Sequence, residues 1–315
     1  MTFLLLHYWY MQILSLLMNR DVWKQQPLFT INILKMSLEN IREIKEGDLK
    51  EIFDALEEAF VALEIDFYLI GAIARDVWFS RANKAFRKSK DVDFAILVGS
   101  HEEYDALRAY LKKYKDFQDT KDNSFVMLTP TGIQIDILPF GGIEIDSDVK
   151  LDGVGFTSIR VNGFSEVHKA GTADVTMQTG HAFKVATLPA IVLLKLIAFD
   201  DRPEKRHKDP GDISNIIAHY FEMQSDLIYN EHNDLFITGQ LDKSLEQIAG
   251  IVIGREIKKI IAENGELTQR VSNILTRHSK EEEKSVFIRQ MVAETGTTVR
   301  EMVVWIKAIS SGLME

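Results

Sequence analysis

Asp91-Val92-Asp93-Phe94-Ala95-Ile96-Leu97-Val98 opens with two acids and continues as an unbroken apolar run, the pattern of a buried β-strand. On a strand, side chains at i and i+2 project to the same face, so Asp91 and Asp93 point together while Val92 points the opposite way, into the core. Downstream, Ile133-Gln134-Ile135-Asp136-Ile137-Leu138 reads as another strand, in which Ile135 and Ile137 share one face and Asp136 is the lone charge on the other. An ionised carboxylate beside a sheet core loses hydration that it cannot recover unless something compensates. Mg²⁺ is the natural compensation, because it favours oxygen ligands and keeps waters or substrate phosphates in its remaining positions. Two such ions about 3.5–4 Å apart stabilise both the attacking and the leaving oxygen of a phosphoryl displacement. Asp91, Asp93 and Asp136 are therefore the candidate catalytic and metal-binding residues. Taken alone, an Asp-x-Asp pair is better explained by a strand cap, a lysine pair and an exposed edge, since such pairs occur by chance in many chains, so its surroundings decide.

Upstream, Phe67-Tyr68-Leu69-Ile70 is a short apolar run ended by Gly71, and a helix-compatible stretch with Arg75, Asp76, Val77 and Trp78 follows. In such a strand–turn–helix, backbone at Gly71 can approach a triphosphate, whose charge the helix N-terminus favours. Between this turn and the acids, residues 81–90 carry Arg81, Lys84, Arg87, Lys88 and Lys90 and no acid. This segment reads equally as a solvated loop or as a contact for phosphate or nucleic acid.

Working further outward, Leu49, Ile52, Phe53, Leu56, Phe60 and Leu63 recur at helical steps, and Asp48 with Glu51 offers a capping-box-like start. Residues 101–113 form an amphipathic helix through Tyr104, Leu107 and Leu111, and residues 125–128 and 133–138 flank the turn Thr129-Pro130-Thr131-Gly132 as a hairpin. After Pro189 the apolar spacing is helical almost throughout, in residues 191–199, 213–221, 245–253, 271–275, 286–292 and 299–309. Lys195 interrupts the apolar Leu193-Leu194-Lys195-Leu196-Ile197. It either snorkels to water or sits over the cleft and neutralises triphosphate charge. A second basic group, from Arg202 to Lys208, runs into Asp209-Pro210-Gly211-Asp212.

A chain of 315 residues is long enough for two cores. With 46% hydrophobic and 27% charged residues the composition is that of an ordinary globular protein. The net charge of −10 argues against a protein coated in nucleic acid, which needs surplus Lys and Arg, so any such contact is local. The absence of cysteine excludes disulfide frameworks, zinc-finger spacing and thiol catalysis, and fits a reducing, cytoplasmic compartment. The first nineteen residues hold no Asp, Glu, Lys or Arg, yet the apolar run 3–18 contains His7 and Gln12 and has no basic residues ahead of it. It is too short to span a bilayer, which takes about 20 apolar residues, and lacks the flank of a signal peptide. Residues 1–35 are expected to be an upstream extension, with Met36 the start of the native fold, and no membrane association is expected.

Tyr68-Leu69-Ile70-Gly71-Ala72-Ile73-Ala74-Arg75-Asp76 followed by Lys90-Asp91-Val92-Asp93-Phe94 resembles the head of the DNA polymerase β-like nucleotidyltransferase superfamily, and its Gly71…Arg75-Asp76 spacing is similar to that of tRNA CCA-adding enzymes. Gly71-Ala72 stands where the superfamily commonly has Gly-Ser or Gly-Gly, so no side-chain hydroxyl is available there. Asp136 looks like the superfamily's third metal carboxylate. Lys195, Arg202 and Lys208-Asp209-x-x-Asp212 resemble the lysine and KD-x-x-D signature of the AbiEii-type toxin nucleotidyltransferases. The resemblance implies an α+β fold, with a polymerase β-like domain of mixed sheet and flanking helices over residues 36–185 and a helical domain over 186–315 that completes the cleft. It implies transfer of a nucleoside monophosphate from an NTP to an acceptor hydroxyl, on tRNA or another RNA, with two Mg²⁺ ions on Asp91, Asp93 and Asp136. Gly71, Arg75, Lys195, Arg202, Lys208, Asp209 and Asp212 would bind the nucleotide, and a cognate antitoxin would be a partner. The rival readings are a small-molecule, antibiotic-type nucleotidyltransferase and a non-catalytic nucleotide-binding module of the same fold.

Overall fold

The apolar run with two leading acids forms strand β2 (Asp91–Val98), and a mixed sheet is built around it. The computed structural model describes residues 46–82, 91–236 and 243–315. The expected extension 1–35 and nearly all of the basic stretch, residues 83–90, lie outside the described residues. Residues Glu43–Glu315 belong to one compact unit.

Helix α1 (Glu46–Ala62) leads into strand β1 (Asp66–Ile70) and helix α2 (Gly71–Arg81). After β2 come helix α3 (His101–Lys115), the short strands β3 (Gln118–Asp119) and β4 (Val126–Leu128), and strand β5 (Gln134–Gly141). Strands β6 (Asp148–Lys150) and β7 (Ser158–Arg160) pair as a separate ribbon. Helix α4 (Phe164–Ala170) precedes β8 (Thr172–Thr176) and β9 (Ala182–Ala186). From there the chain is helical: α5 (Leu188–Asp201), α6 (Asp209–Met223), α7 (Ser225–Glu231), α8 (Leu245–Ile260), α9 (Gly265–Glu281), α10 (Val286–Thr295) and α11 (Val299–Met314). Among the described residues the main sheet runs β3-β4-β5-β2-β1-β9-β8. β2 lies parallel to β5 and antiparallel to β1, and β1 lies parallel to β9.

Local sequence explains where these elements stop. Ser100 accepts from the Glu103 amide to cap α3, Thr187 caps α5 with Pro189 in its first turn, and Ser244 and Thr298 form full capping boxes with Gln247 and Glu301. One expectation fails. The described part of α1 already includes Glu46 and Gly47, so Asp48 lies within the helix and is not its N-cap.

The period-two pattern of β2 sets the layers. Val92 and Phe94 face α1, where Phe53 and Phe60 meet Phe94 edge-on at ring distances of 6.1 and 5.9 Å. Phe183 of β9 extends the same cluster, 5.2 Å from Phe53. Such pairs add about 0.5–1.5 kcal/mol each beyond burial, and they fix which face of β2 is left for the acids. The opposite face packs against α2, which also meets α5 and whose Trp78 donates its indole N–H to the carbonyl of Ala186 at the end of β9, at 2.8 Å. Among the described residues no helix is long and apolar enough to cross a membrane.

Candidate active site

Strand register brings the acids together. Asp93 lies opposite Ile70 of β1 on one side and opposite Asp136 of β5 on the other, while Asp91 lies opposite Gln134. The Gln134 amide donates to Asp136 Oδ1 at 2.8 Å. Gly71 follows directly on β1 with φ +69°, and a Cβ built there would collide with Asp93 Oδ2. Glycine is thus needed for its left-handed backbone and for the room that it leaves beside the carboxylate.

The electrostatics follow from this crowding. Burial, then the Asp136 and Asp91 charges, push the Asp93 carboxyl well above the usual carboxylate range, with Arg206 and Lys195 opposing. Burial also pushes Asp136 up to about 6, although the Gln134 hydrogen bond pulls it back, and Asp91 adds to the rise. The Asp91 charge raises the cost of ionising both Asp93 and Asp136, and the Asp136 charge that of ionising Asp93.

Asp93 opens onto a cavity of about 450 Å³. Gly71, Asp93 and Leu138 line it from the sheet, Asp148, Ser158 and Arg160 from the ribbon, and Asn162 from the turn after β7. The remaining wall is α5 and the turn beyond it, through Ile191, Leu194, Lys195, Ala198, Arg202, Arg206 and Asp209.

Lys195 neither snorkels nor stands free over the cavity. Its Nζ donates to Asp209 Oδ1 at 2.7 Å and to Asp212 Oδ2 at 2.8 Å. Burial alone would lower its pKa, but the two aspartates more than reverse that, so the ammonium is held charged. Asp212 also meets Arg75 Nη1 at 2.7 Å through its other oxygen, and Arg75 donates from Nη2 to Asp76 Oδ1 at 2.7 Å. Arg75 is 0% exposed, Asp212 2% and Asp209 5%, which makes this a buried network binding α2 to α5 and α6. Asp209 Oδ2 has no hydrogen-bond partner among the described residues, and Arg206 Nε lies 3.9 Å from it.

The basic cluster before Asp209 divides by geometry. Arg202 lines the cavity with its guanidinium 4.4 Å from the centre of the Phe156 ring, a cation–π contact. Arg206, four residues on, lines it too and acts on both Asp93 and Asp136. Lys208 is exposed and does not line the cavity. Arg206 is the residue that sequence reasoning passed over, and its signal was the four-residue step from Arg202, realised as a helical turn in which the Arg206 amide donates to the Arg202 carbonyl at 3.2 Å. Asn162 was also missed, since an isolated amide after a short strand carries no pattern.

Strand–glycine–helix, in-register aspartates and a cation-lined cavity together describe a nucleotidyltransferase domain. The chain matches the family described as "Nucleotidyl transferase AbiEii toxin, Type IV TA system" over residues 54–238, more than half its length, and belongs to that family. It is a nucleotidyltransferase. No curated protein matches the sequence. Among solved structures it is similar to the antibiotic-resistance factor ANT(2'')-Ia in solution, at 10% identity over 75% of this chain and 100% of that one, with a TM-score of 0.37. It is also similar to an antigenic nucleotidyltransferase-like protein from Paracoccidioides brasiliensis, at 15% identity over 62% of this chain and 93% of that one, with a TM-score of 0.37. A third, the Thermotoga maritima CCA-adding enzyme complexed with tRNA, shares 11% identity over 88% of this chain and 83% of that one, with a TM-score of 0.23. Likeness at these scores transfers no residue's role.

Proposed function

We propose that the chain moves a nucleoside monophosphate from an NTP to an acceptor hydroxyl on RNA, tRNA first among the candidates, with two Mg²⁺ ions held by Asp91, Asp93 and Asp136. The observation that carries this is Asp93, in register with Asp136 and beside Gly71, lining a cavity that Arg206 also lines. Among the described residues no three acidic or histidine side chains are gathered closely enough to hold a metal ion by themselves. Magnesium does not need one, because it is commonly held by one or two carboxylates with the substrate's phosphates completing the shell. Mutually repelling, half-buried carboxylates whose pKa values have risen are a donor set that fits such an ion.

Magnesium bound there would supply Lewis-acid polarisation of the phosphoryl group and ease deprotonation of the acceptor hydroxyl. The chain's own residues do the rest. Gly71 leaves backbone open to the triphosphate, and Arg206 offers a guanidinium to its charge. Lys195, Asp209, Asp212 and Arg75 act by fixing α2 against α5 and α6, so that the glycine turn and the cationic wall keep one spacing. Asp136 comes from a separate strand and stands nearest the attacking oxygen. The bond formed is acceptor oxygen to α-phosphorus, the bond broken joins the α-phosphorus to the bridging oxygen, and pyrophosphate leaves.

On this reading residues 36–185 carry the metal and the α-phosphate, and residues 186–315 complete the cleft. A cognate antitoxin would restrain the activity, and the reaction would take place in the cytoplasm. The test is calorimetric titration of the full chain with each NTP, with and without Mg²⁺. Metal-dependent binding in the micromolar range is expected, whereas binding that EDTA leaves unchanged refutes the metal assignment.

A further inference from the structure

The cavity offers more than a phosphate site requires. Ile191, Leu194 and Ala198 present an aliphatic wall, and Asn162 is the one side-chain amide among the described residues of the lining. Aliphatic walls with a few fixed polar groups are what an uncharged aromatic ligand such as a nucleobase asks of a pocket.

The orientation of that amide is determined by its neighbours. Arg270 of α9 is anchored by Asp200 Oδ2 at 3.1 Å and Asp201 Oδ1 at 2.7 Å, and its Nη1 donates to Asn162 Oδ1 at 2.9 Å. A guanidinium has only donors, so the amide atom facing it must be the oxygen. The Asn162 amide nitrogen is therefore turned away from Arg270 and forms no hydrogen bond with any described residue. Arg270 itself cannot shift readily, since Asp200 is also held by Arg277 at 2.6 Å.

Resting on the reading of this cavity as an NTP site, we propose that Asn162 determines base specificity by donating an N–H to an acceptor on the edge of the nucleobase, with Arg270 as the residue that keeps it a donor. Adenine and guanine, and likewise cytosine and uracil, differ by exchanging acceptors for N–H groups along that edge. A fixed donor accepts one member of a pair and confronts the other with two hydrogens and no acceptor. The cost of such an unmade bond corresponds to about tenfold in affinity.

The experiment is calorimetric titration of the full chain with ATP, GTP, CTP and UTP in Mg²⁺, for the wild type, Asn162→Ala and Asn162→Asp. The aspartate is isosteric, keeps the Arg270 contact as an ion pair, and can only accept. The wild type should separate at least one of the two base pairs by about tenfold. Asn162→Ala should bring that pair to within about twofold, and Asn162→Asp should invert the order, with the folded state intact by circular dichroism in both. A wild type that binds all four equally, or variants that keep the wild-type order, overturns the base-reading role while leaving the NTP site standing. A wild type that binds no NTP overturns the reading of the cavity and this inference with it.

Discussion

Lys195→Met separates a phosphate ligand from a structural tie. A lysine that only snorkelled, or that reached a triphosphate from solvent, could be replaced by Met with stability level or raised, because the stem's volume is kept. The observed ammonium instead bridges two buried carboxylates at 2.7 and 2.8 Å. Removing it leaves Asp212 with Arg75 at 2.7 Å but leaves Asp209 facing only Arg206 at 3.9 Å. Breaking a buried pair from one side costs about 3–5 kcal/mol. At about 2–4 °C per kcal/mol for domains of 150–250 residues, the melting temperature should fall on the order of 10 °C. The assay is calorimetric or urea-monitored unfolding at pH 7, with m checked for constancy. Adding Asp209→Asn to Lys195→Met removes the orphaned charge and should recover more than half of the loss, a coupling that a double-mutant cycle measures directly. A Lys195→Met variant as stable as the wild type would refute the network as a tie between α2, α5 and α6.

Asp93→Asn should abolish transfer, and it should stabilise the fold at pH 7 more than at pH 4. Burial raises the Asp93 pKa in the folded state, so ionisation penalises folding increasingly as pH rises through the unfolded value near 4. Melting curves of both proteins across that range check this, and a variant less stable at pH 7 counts against it. Gly71→Ala should cost about 1–2 kcal/mol from its left-handed φ of +69° alone, and NTP binding should fall with it, as the new methyl collides with Asp93. His278 supplies a second pH signature. Burial and the nearby Arg277 lower it to about 4, and its ring lies 4.6 Å from that of Phe287. The unfolded state takes up that proton near 6.5 and the folded state only near 4, so stability should decline as pH falls between those values, by at most about 1.4 kcal/mol per unit. His278→Gln should flatten this slope in urea titrations at a series of pH values.

The acids were legible because strand periodicity is local: Asp91, Asp93 and Asp136 could be assigned to one face before their strands were known to be neighbours. The helical half was legible for the same reason, since α5, α6, α8, α10 and α11 all cover the apolar spacings that mark them. Strands β8 and β9 were not read, although β9 pairs with β1 at the centre of the sheet. Ala182-Phe183-Lys184-Val185-Ala186 is short, and its strand character comes from Phe183 and Val185 packing on partners distant in sequence. The fate of Lys195 was illegible for a different reason. Whether a lysine in an apolar helix meets water, phosphate or carboxylate depends on what lies across from it, and the answer, Asp209 and Asp212 on the next helix, appears only when α5 and α6 are packed. Arg206 outranks Lys208 by the direction of one turn of chain, which composition does not encode.

The central claim, metal-dependent transfer by Asp91, Asp93 and Asp136, is tested most directly by incubating the purified full chain with each α-labelled NTP, Mg²⁺ and total tRNA. Label on the RNA and released pyrophosphate are measured together. The account predicts equal molar amounts of labelled RNA and pyrophosphate in the wild type, and neither product from Asp93→Asn or in the presence of EDTA. Undiminished labelling by Asp93→Asn, or transfer that persists in EDTA, would contradict it.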